Sequence, residues 1–132
     1  MKQFSELKAL IVEDDRIIQT IIKANLDSVG IGNVVVGNGI EAIKALKSNT
    51  FDFVMMDINM PQQDGLDATR WIREEENRSM KNIPIFALTT YASSDHTNEI
   101  LEAGMNEHIV KPFTLFKLVV LLEKYFPATV AV

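Results

Sequence analysis

The chain has 132 residues, of which 47% are hydrophobic and 23% charged, and this composition favours a single soluble globular domain with its own core. Its formal net charge is −5 and its 13 lysines and arginines are spread along the chain, which excludes a strongly basic nucleic-acid surface. Cysteine is absent, which excludes disulfides and thiolate metal sites, and no signal peptide or membrane-spanning stretch occurs, so we expect a cytoplasmic protein.

Short apolar runs alternate with stretches of helical periodicity from one end of the chain to the other. The runs are bounded by turn residues, which is typical of buried strands. Five strands are predicted, at residues 7–12, 34–36, 51–56, 83–88 and 107–110. Five helices are predicted, at about residues 16–29, 39–46, 66–77, 94–103 and 115–125. In the first helix Ile18, Ile22 and Leu26 recur at helical spacing, and Ile17 and Ile21 widen the apolar face.

This alternation predicts a parallel sheet covered by helices on both faces, the α/β flavodoxin-like (βα)5 three-layer sandwich. The default doubly wound order of five strands is 2-1-3-4-5, and its switch point lies between strands 1 and 3. Acidic residues follow these two strands: Glu13 and Asp14 the first, Asp57 the third. Because such folds bind ligands at the switch point, we expect the three carboxylates to meet there. No linker or repeat divides the chain, so we expect one domain over residues 1–132.

Each acidic residue also has a structural interpretation. Glu13 or Asp14 could cap the following helix, although Asp15 could serve as that cap, and Asp57 could form a turn before Pro61. The joint placement favours function, because converging carboxylates repel one another unless a cation lies between them. Oxygen donors without cysteine or suitably spaced histidine suit Mg²⁺. A carboxylate beside Mg²⁺ can then act as a nucleophile toward a phosphoryl group.

Lys111 and Thr89 are predicted to lie at the same edge of the sheet, because they follow or close strands 5 and 4. A solvated surface lysine and a helix-capping hydroxyl are the ordinary alternatives. An ammonium near clustered carboxylates would pair with Asp57 or with an added phosphoryl oxygen. The Thr89 hydroxyl could bond a phosphoryl oxygen at the same place.

Taken in order, these residues resemble the response-regulator receiver domain of two-component signalling, over nearly the whole chain from about Leu7 to Phe126. The matching motifs, each weak alone and specific together, are Glu13-Asp14, Met56-Asp57-Ile58-Asn59-Met60-Pro61, Asp64-Gly65, Ala87-Leu88-Thr89 and Lys111-Pro112-Phe113. The resemblance implies a signalling switch phosphorylated on Asp57 by a histidine kinase or a histidine phosphotransfer protein, rather than an enzyme.

The resemblance also implies roles for the surrounding residues. Asp14 and Asp57 would ligate Mg²⁺ directly, together with the backbone carbonyl of Asn59, while Glu13 would act mainly through water. Thr89 and Lys111 would hold the phosphoryl oxygens and report their arrival.

We expect the signal to leave through the face formed by the fourth helix, the fifth strand and the fifth helix, which would bind a downstream protein target. A homodimer formed on phosphorylation is a further candidate. The residues expected on this face are His96, Glu99, His108, Phe116 and Val119 or Val120.

Three positions near the site depart from the commonest family pattern or leave a choice open. His108 stands where the family often has a switching aromatic residue, and a half-buried strand residue without a switching role is an equal alternative. Thr90 stands where a small residue is common, so its branched side chain could hinder access. Tyr91 could shield the phosphoryl group from water or be an exposed loop aromatic.

Two other functions fit the same pattern less well. A Mg²⁺-dependent phosphohydrolase with an aspartyl-phosphate intermediate usually needs a second acid two residues beyond the nucleophile, where this chain has Asn59. A flavodoxin-like nucleotide-binding module would need a Gly-rich phosphate loop after the first strand, and none follows it. Because the chain opens at Met1 shortly before the first strand, we expect a natural stand-alone receiver rather than a domain cut from a hybrid kinase or longer regulator.

Overall fold

The computed structural model describes residues 3–60, 64–90 and 94–127. Pro61, which ends the matched motif that begins at Met56, and Tyr91 therefore lie outside the described residues, as does the part of the predicted domain beyond residue 127. The side chains of His96 and of residues 64, 94 and 95 lie outside them as well.

Five parallel strands form one sheet in the order β2-β1-β3-β4-β5, which confirms the predicted topology. The strands are β1 (Lys8–Val12), β2 (Gly32–Val36), β3 (Phe53–Asp57), β4 (Ile85–Thr89) and β5 (Glu107–Val110). The helices are α1 (Arg16–Ser28), α2 (Gly39–Ser48), α3 (Asp64–Arg73), α4 (Arg78–Lys81), α5 (Ser94–Ala103) and α6 (Leu115–Tyr125). A single 3-10 turn, Phe4–Glu6, precedes β1.

Helices cover both faces of the sheet because successive strand residues point to opposite sides. One core layer contains Ala9 and Ile11 of β1 and the buried residues of α1 and α6, which are Ile22, Leu26, Leu118 and Leu122. The other contains Leu10 and Val12 and the buried residues of α2, α3 and α5, which are Ala42, Leu46, Leu66, Ala68, Ile72, Ile100 and Ala103. The predicted three-layer sandwich is confirmed.

The third helix is shorter than predicted, and the described residues contain a sixth helix. Helix α3 ends at Arg73 instead of running to about Asn77, and the short helix α4 follows. The Asn77 side chain caps α4, because its Oδ1 accepts the amides of Ser79 at 3.0 Å and Met80 at 3.4 Å. Asparagine is a strong N-cap, so it starts a new helix instead of continuing the old one. The fourth and fifth predicted helices are therefore α5 and α6.

The apolar face of α1 is only partly buried. Ile22 and Leu26 lie in the core, whereas Ile17 is 73% exposed and Ile21 46% exposed. These two residues widen the apolar face as the sequence indicated, but they do so on the surface.

Among the described residues, none of the helices combines the length and the apolar character needed to cross a membrane. The cellular location expected from the sequence stays a prediction.

Candidate functional site

The carboxyl ends of β1 and β3 bring three acidic side chains together, as the topology predicted. One oxygen each from Glu13, Asp14 and Asp57 lies within 4.8 Å of the other two. Glu13 and Asp57 are buried, at 0% and 2% exposure, whereas Asp14 is exposed. Two buried carboxylates and one that faces solvent form a concave acidic cluster at the sheet edge.

Helix capping does not account for Glu13 or Asp14, because the neighbouring Asp15 performs it. The Asp15 Oδ1 accepts the amides of Ile17 at 2.8 Å and Ile18 at 3.0 Å, and so caps α1. The capping interpretation therefore applies to Asp15 alone.

Asp57 forms the predicted turn and also lies in the acidic cluster. Its Oδ1 accepts the Asn59 amide at 2.8 Å, which is an Asx turn. The same oxygen lies 3.2 Å from the Lys111 Nζ. The turn thus fixes the direction of the carboxylate and leaves it within the cluster.

Lys111 joins the two buried carboxylates. Its Nζ lies 3.2 Å from Asp57 Oδ1 and 3.5 Å from Glu13 Oε1, and only 17% of its side chain is exposed. Its backbone amide donates to the Thr89 carbonyl at 2.7 Å, which anchors the loop after β5 to the end of β4. The following peptide bond, Lys111-Pro112, is cis. The predicted site lysine is therefore part of the cluster and not a solvated surface residue.

Glu13 carries the clearest electrostatic signature of the site. Burial, together with the contact and charge of the adjacent Asp57 carboxyl, raises its pKa to about 8, against the opposing effect of the Asp15 amide and Lys111. Its Oε1 has no hydrogen-bond partner within the described part of the chain, although Lys111 is near. Even with Glu13 protonated, the Asp14 and Asp57 carboxylates outnumber the single ammonium and leave excess negative charge at a set of hard oxygen donors. That donor set fits a hydrated Mg²⁺ ion.

Thr89 lies at the same edge, on the side of Asp57 opposite β1. In the β3–β4 register Asp57 pairs with Leu88, so Thr89 is one residue beyond it. Thr89 is fully buried. Thr90 also contacts this region, because its amide donates to the Asn59 Oδ1 at 3.0 Å and connects the loops after β3 and β4.

His108 lies on β5 opposite Ala87 and is half-buried. It lines an open groove of about 310 Å³ between β5 and α6, together with Ile109, Val110, Phe116, Lys117, Val120 and Leu121. A switching role for His108 stays a prediction.

Two supporting residues were not identified as such from the sequence. A Cβ atom added to Gly65 would lie 2.4 Å from the Asp57 carbonyl oxygen and 3.2 Å from the Met56 Cγ, so helix α3 meets β3 too closely for any side chain. On α1, Gln19 donates its side-chain amide to the Glu13 carbonyl. The glycine directly after Asp64 was a visible signal, whereas no pattern marks Gln19.

Comparison with known proteins agrees with this geometry. The family model described as the response regulator receiver domain matches residues 9–123. Chemotaxis protein CheY-3 of Vibrio cholerae is 37% identical over 91% of this chain and 92% of its own length. Histidine kinase 5 of Arabidopsis thaliana is 33% identical over 95% of this chain, which spans only 16% of that protein.

Two solved structures share the fold. The receiver domain of a Pseudomonas aeruginosa sensor histidine kinase, with a magnesium ion coordinated in its active-site cleft, is 37% identical with a TM-score of 0.80 and covers 90% of this chain and 96% of its own. The receiver domain of Ssk1 from Saccharomyces cerevisiae, crystallised with the histidine phosphotransfer protein Ypd1, is 29% identical with a TM-score of 0.84. That match covers 94% of this chain and 91% of the solved one. The chain therefore belongs to the response regulator receiver domain family, whose members are phosphoacceptor signalling domains of two-component systems and not enzymes that turn over a substrate.

Proposed function

We propose that this chain is a phosphorylation-dependent switch in which Asp57 accepts a phosphoryl group from a phosphohistidine donor in a Mg²⁺-dependent reaction. One observation carries the proposal: the buried Asp57 carboxylate lies in a cluster with Glu13 and Asp14 and 3.2 Å from the Lys111 ammonium. We also propose that residues 1–132 form a single receiver domain.

The donor set supports the proposed metal site. Asp14 and Asp57 would hold Mg²⁺ directly with the Asn59 backbone carbonyl, and Glu13 would act mainly through water. When bound, the ion would offset the negative charge that collects on the transferred group. The magnesium ion in the cleft of the Pseudomonas aeruginosa receiver domain supports this assignment.

The residues of the chain then perform the transfer. A carboxylate oxygen of Asp57 attacks phosphorus as the bond from phosphorus to the donor imidazole nitrogen breaks, and the bonding electrons stay with the imidazole. Lys111, already between Glu13 and Asp57, is placed to move its ammonium onto a phosphoryl oxygen. The Thr89 hydroxyl, at the end of the neighbouring strand, would bond another phosphoryl oxygen.

The proposed phosphodonor is a histidine kinase or a histidine phosphotransfer protein. Support comes from two relatives that differ in architecture: a receiver segment within a plant histidine kinase and a yeast receiver domain crystallised with a phosphotransfer protein.

We propose that phosphorylation changes binding of a downstream protein, or of a second copy of the chain, at the face formed by α5, β5 and α6. Apolar side chains are exposed there: Phe116 at 77%, Val120 at 49% and Leu101 at 54%. Glu99 and Val119 lie on the same two helices and are partly buried. Movement of Thr89 and Lys111 would act on this face because Thr89 ends β4 and Lys111 directly follows β5.

The test is phosphorylation with a small-molecule donor, acetyl phosphate or phosphoramidate, with and without Mg²⁺. We expect one phosphoryl group per chain, dependence on Mg²⁺ and complete loss in Asp57→Asn. Asp52→Asn is the matched control, because Asp52 precedes the opposite end of the same strand and binds the Lys8 amide. Full labelling of Asp57→Asn would refute the assignment, and steady turnover of a phosphate ester would favour the phosphohydrolase alternative.

A further inference from the structure

Lys117, on the first turn of α6, binds the backbone on both sides of the site lysine. Its Nζ donates to the Val110 carbonyl at 2.9 Å and to the Pro112 carbonyl at 3.1 Å. These two residues flank Lys111. The two bonds therefore span the peptide segment that carries the Lys111 side chain.

The helix itself gives no reason for a lysine at this position. The first turn of a helix disfavours a cation because the helix dipole is positive there. The turn is already capped, since the Thr114 Oγ1 accepts the Lys117 amide at 3.3 Å. Contacts to the preceding loop compensate for the unfavourable placement, because the half-buried ammonium lies against two carbonyl oxygens.

Among the described residues, the Lys111 backbone is also held on the side that faces β4. Its amide donates to the Thr89 carbonyl of β4, whereas β5 is the last strand in the order of the sheet. Lys117 fixes the same segment from the outer side. Hydrogen bonds from two directions thus restrain the backbone at Lys111, whose side chain extends to Asp57 and Glu13.

We propose that Lys117 is a positioning residue that sets the reach of Lys111 into the phosphorylation site. This inference rests on the proposed function and adds a residue to it. Lys117 also lines the groove that contains His108, Phe116 and Val120, so it connects the site lysine with the proposed output face.

The test compares rates of Asp57 phosphorylation by phosphoramidate at saturating Mg²⁺. Lys117→Met keeps the apolar stem and removes the donors, so we expect a rate about tenfold lower, the effect of losing charge-assisted hydrogen bonds that orient a reacting group. Lys117→Arg should restore most of the rate. Lys124→Met is the matched control, because Lys124 is on the same helix and pairs with Glu107 away from the site.

A double variant separates positioning from a general structural effect. If Lys117 acts through Lys111, Lys117→Met should lower the rate by less than about twofold in a Lys111→Ala background. An undiminished effect there, or a wild-type rate for Lys117→Met alone, would overturn the inference. Lys117→Ala repeats the test if the methionine variant does not fold. A wild-type chain that takes up no phosphoryl group at Asp57 would instead overturn the proposed function.

Discussion

The Asp57 carboxylate accepts the Asn59 amide within its own loop and contacts Lys111, which is 54 residues away in the sequence. The first contact is local and could be anticipated from an aspartate before a turn. The second depends on strands β3 and β5 ending at the same edge of the sheet. The residue types and their order predicted the members of the site, and the structure supplied their contacts.

Gly65 stands where the structure has no room for a side chain, a reason that the sequence did not reveal. Replacing it with alanine would place a Cβ atom 2.4 Å from the Asp57 carbonyl oxygen, and backbone atoms there have little freedom to move. We expect Gly65→Ala to lower the free energy of unfolding by about 1–3 kcal/mol, as overpacking does, and to slow phosphorylation of Asp57. Urea denaturation and phosphoramidate labelling measure the two effects.

The control for this substitution is Gly32→Ala. An added Cβ at Gly32 meets its nearest neighbour, the Leu7 carbonyl oxygen, at 3.5 Å, which is ordinary contact. Equal stability losses for the two variants would mean that the close approach of α3 to β3 is not the cause.

At the level of secondary-structure elements, Arg73 at the end of α3 connects helices and loops that the sequence pattern predicted only as separate segments. Its guanidinium donates to the carbonyls of Gly104, Lys81 and Ile83 at 2.7 Å and to the Asn106 Oδ1 at 2.8 Å. Burial lowers the pKa of this guanidinium. These contacts tie the ends of α3, α4 and α5 to the loops before β4 and β5. They could not be predicted because three of the four partners are backbone carbonyls, which leave no mark in a residue pattern.

A side-chain hydrogen bond joins helix α6 to strand β5: Tyr125 donates to the Glu107 Oε2 at 2.8 Å. Burial, then the hydrogen bond and charge of Glu107, raise the pKa of Tyr125 to about 12. The pKa of Glu107 is lowered although burial alone would raise it, because hydrogen bonds from Lys124 and Tyr125 outweigh burial.

We expect Tyr125→Phe to lower the free energy of unfolding by about 0.5–1.5 kcal/mol at neutral pH. The contribution of a raised tyrosine pKa is present below its ordinary value of 10.0 and is lost as pH rises through about 12. The contribution of Glu107 is present above its ordinary 4.5 and is lost as pH falls through its lowered pKa. The difference between the two proteins, measured by urea denaturation from pH 3 to 9, should therefore shrink toward the acid end. A difference independent of pH would mean that packing of the ring, and not the hydrogen bond, is responsible.

For the whole molecule, binding at the acidic cluster should be linked to global unfolding, because the site exists only when β1 and β3 are paired. We expect Mg²⁺ at ten times its dissociation constant to raise the free energy of unfolding by about 1.4 kcal/mol. Thermal denaturation with increasing MgCl₂ measures this shift.

Asp14→Asn tests whether the shift arises at this site. Asp14 is exposed, so the substitution should leave the metal-free protein nearly as stable as the wild type. The stabilisation by Mg²⁺ should largely disappear in the variant. An equal shift in the two proteins would show that the ion acts elsewhere.

The sequence by itself determined the alternation of strands and helices and the chemical types that end each strand, because apolar periodicity and turn residues are local properties. The strand order followed from the default winding of such an alternation. Only the tertiary structure decided that Lys111 bridges Glu13 and Asp57, that the Asp57 carbonyl leaves no room for a Cβ at Gly65 and that Lys117 binds on both sides of Lys111. It also ended the predicted third helix at Arg73, placed a separate short helix after Asn77, and left Ile17 and Ile21 on the surface. The physical reason is that periodicity is local and shows only which face of a segment is apolar. Distances between side chains depend instead on how segments far apart in the chain are packed.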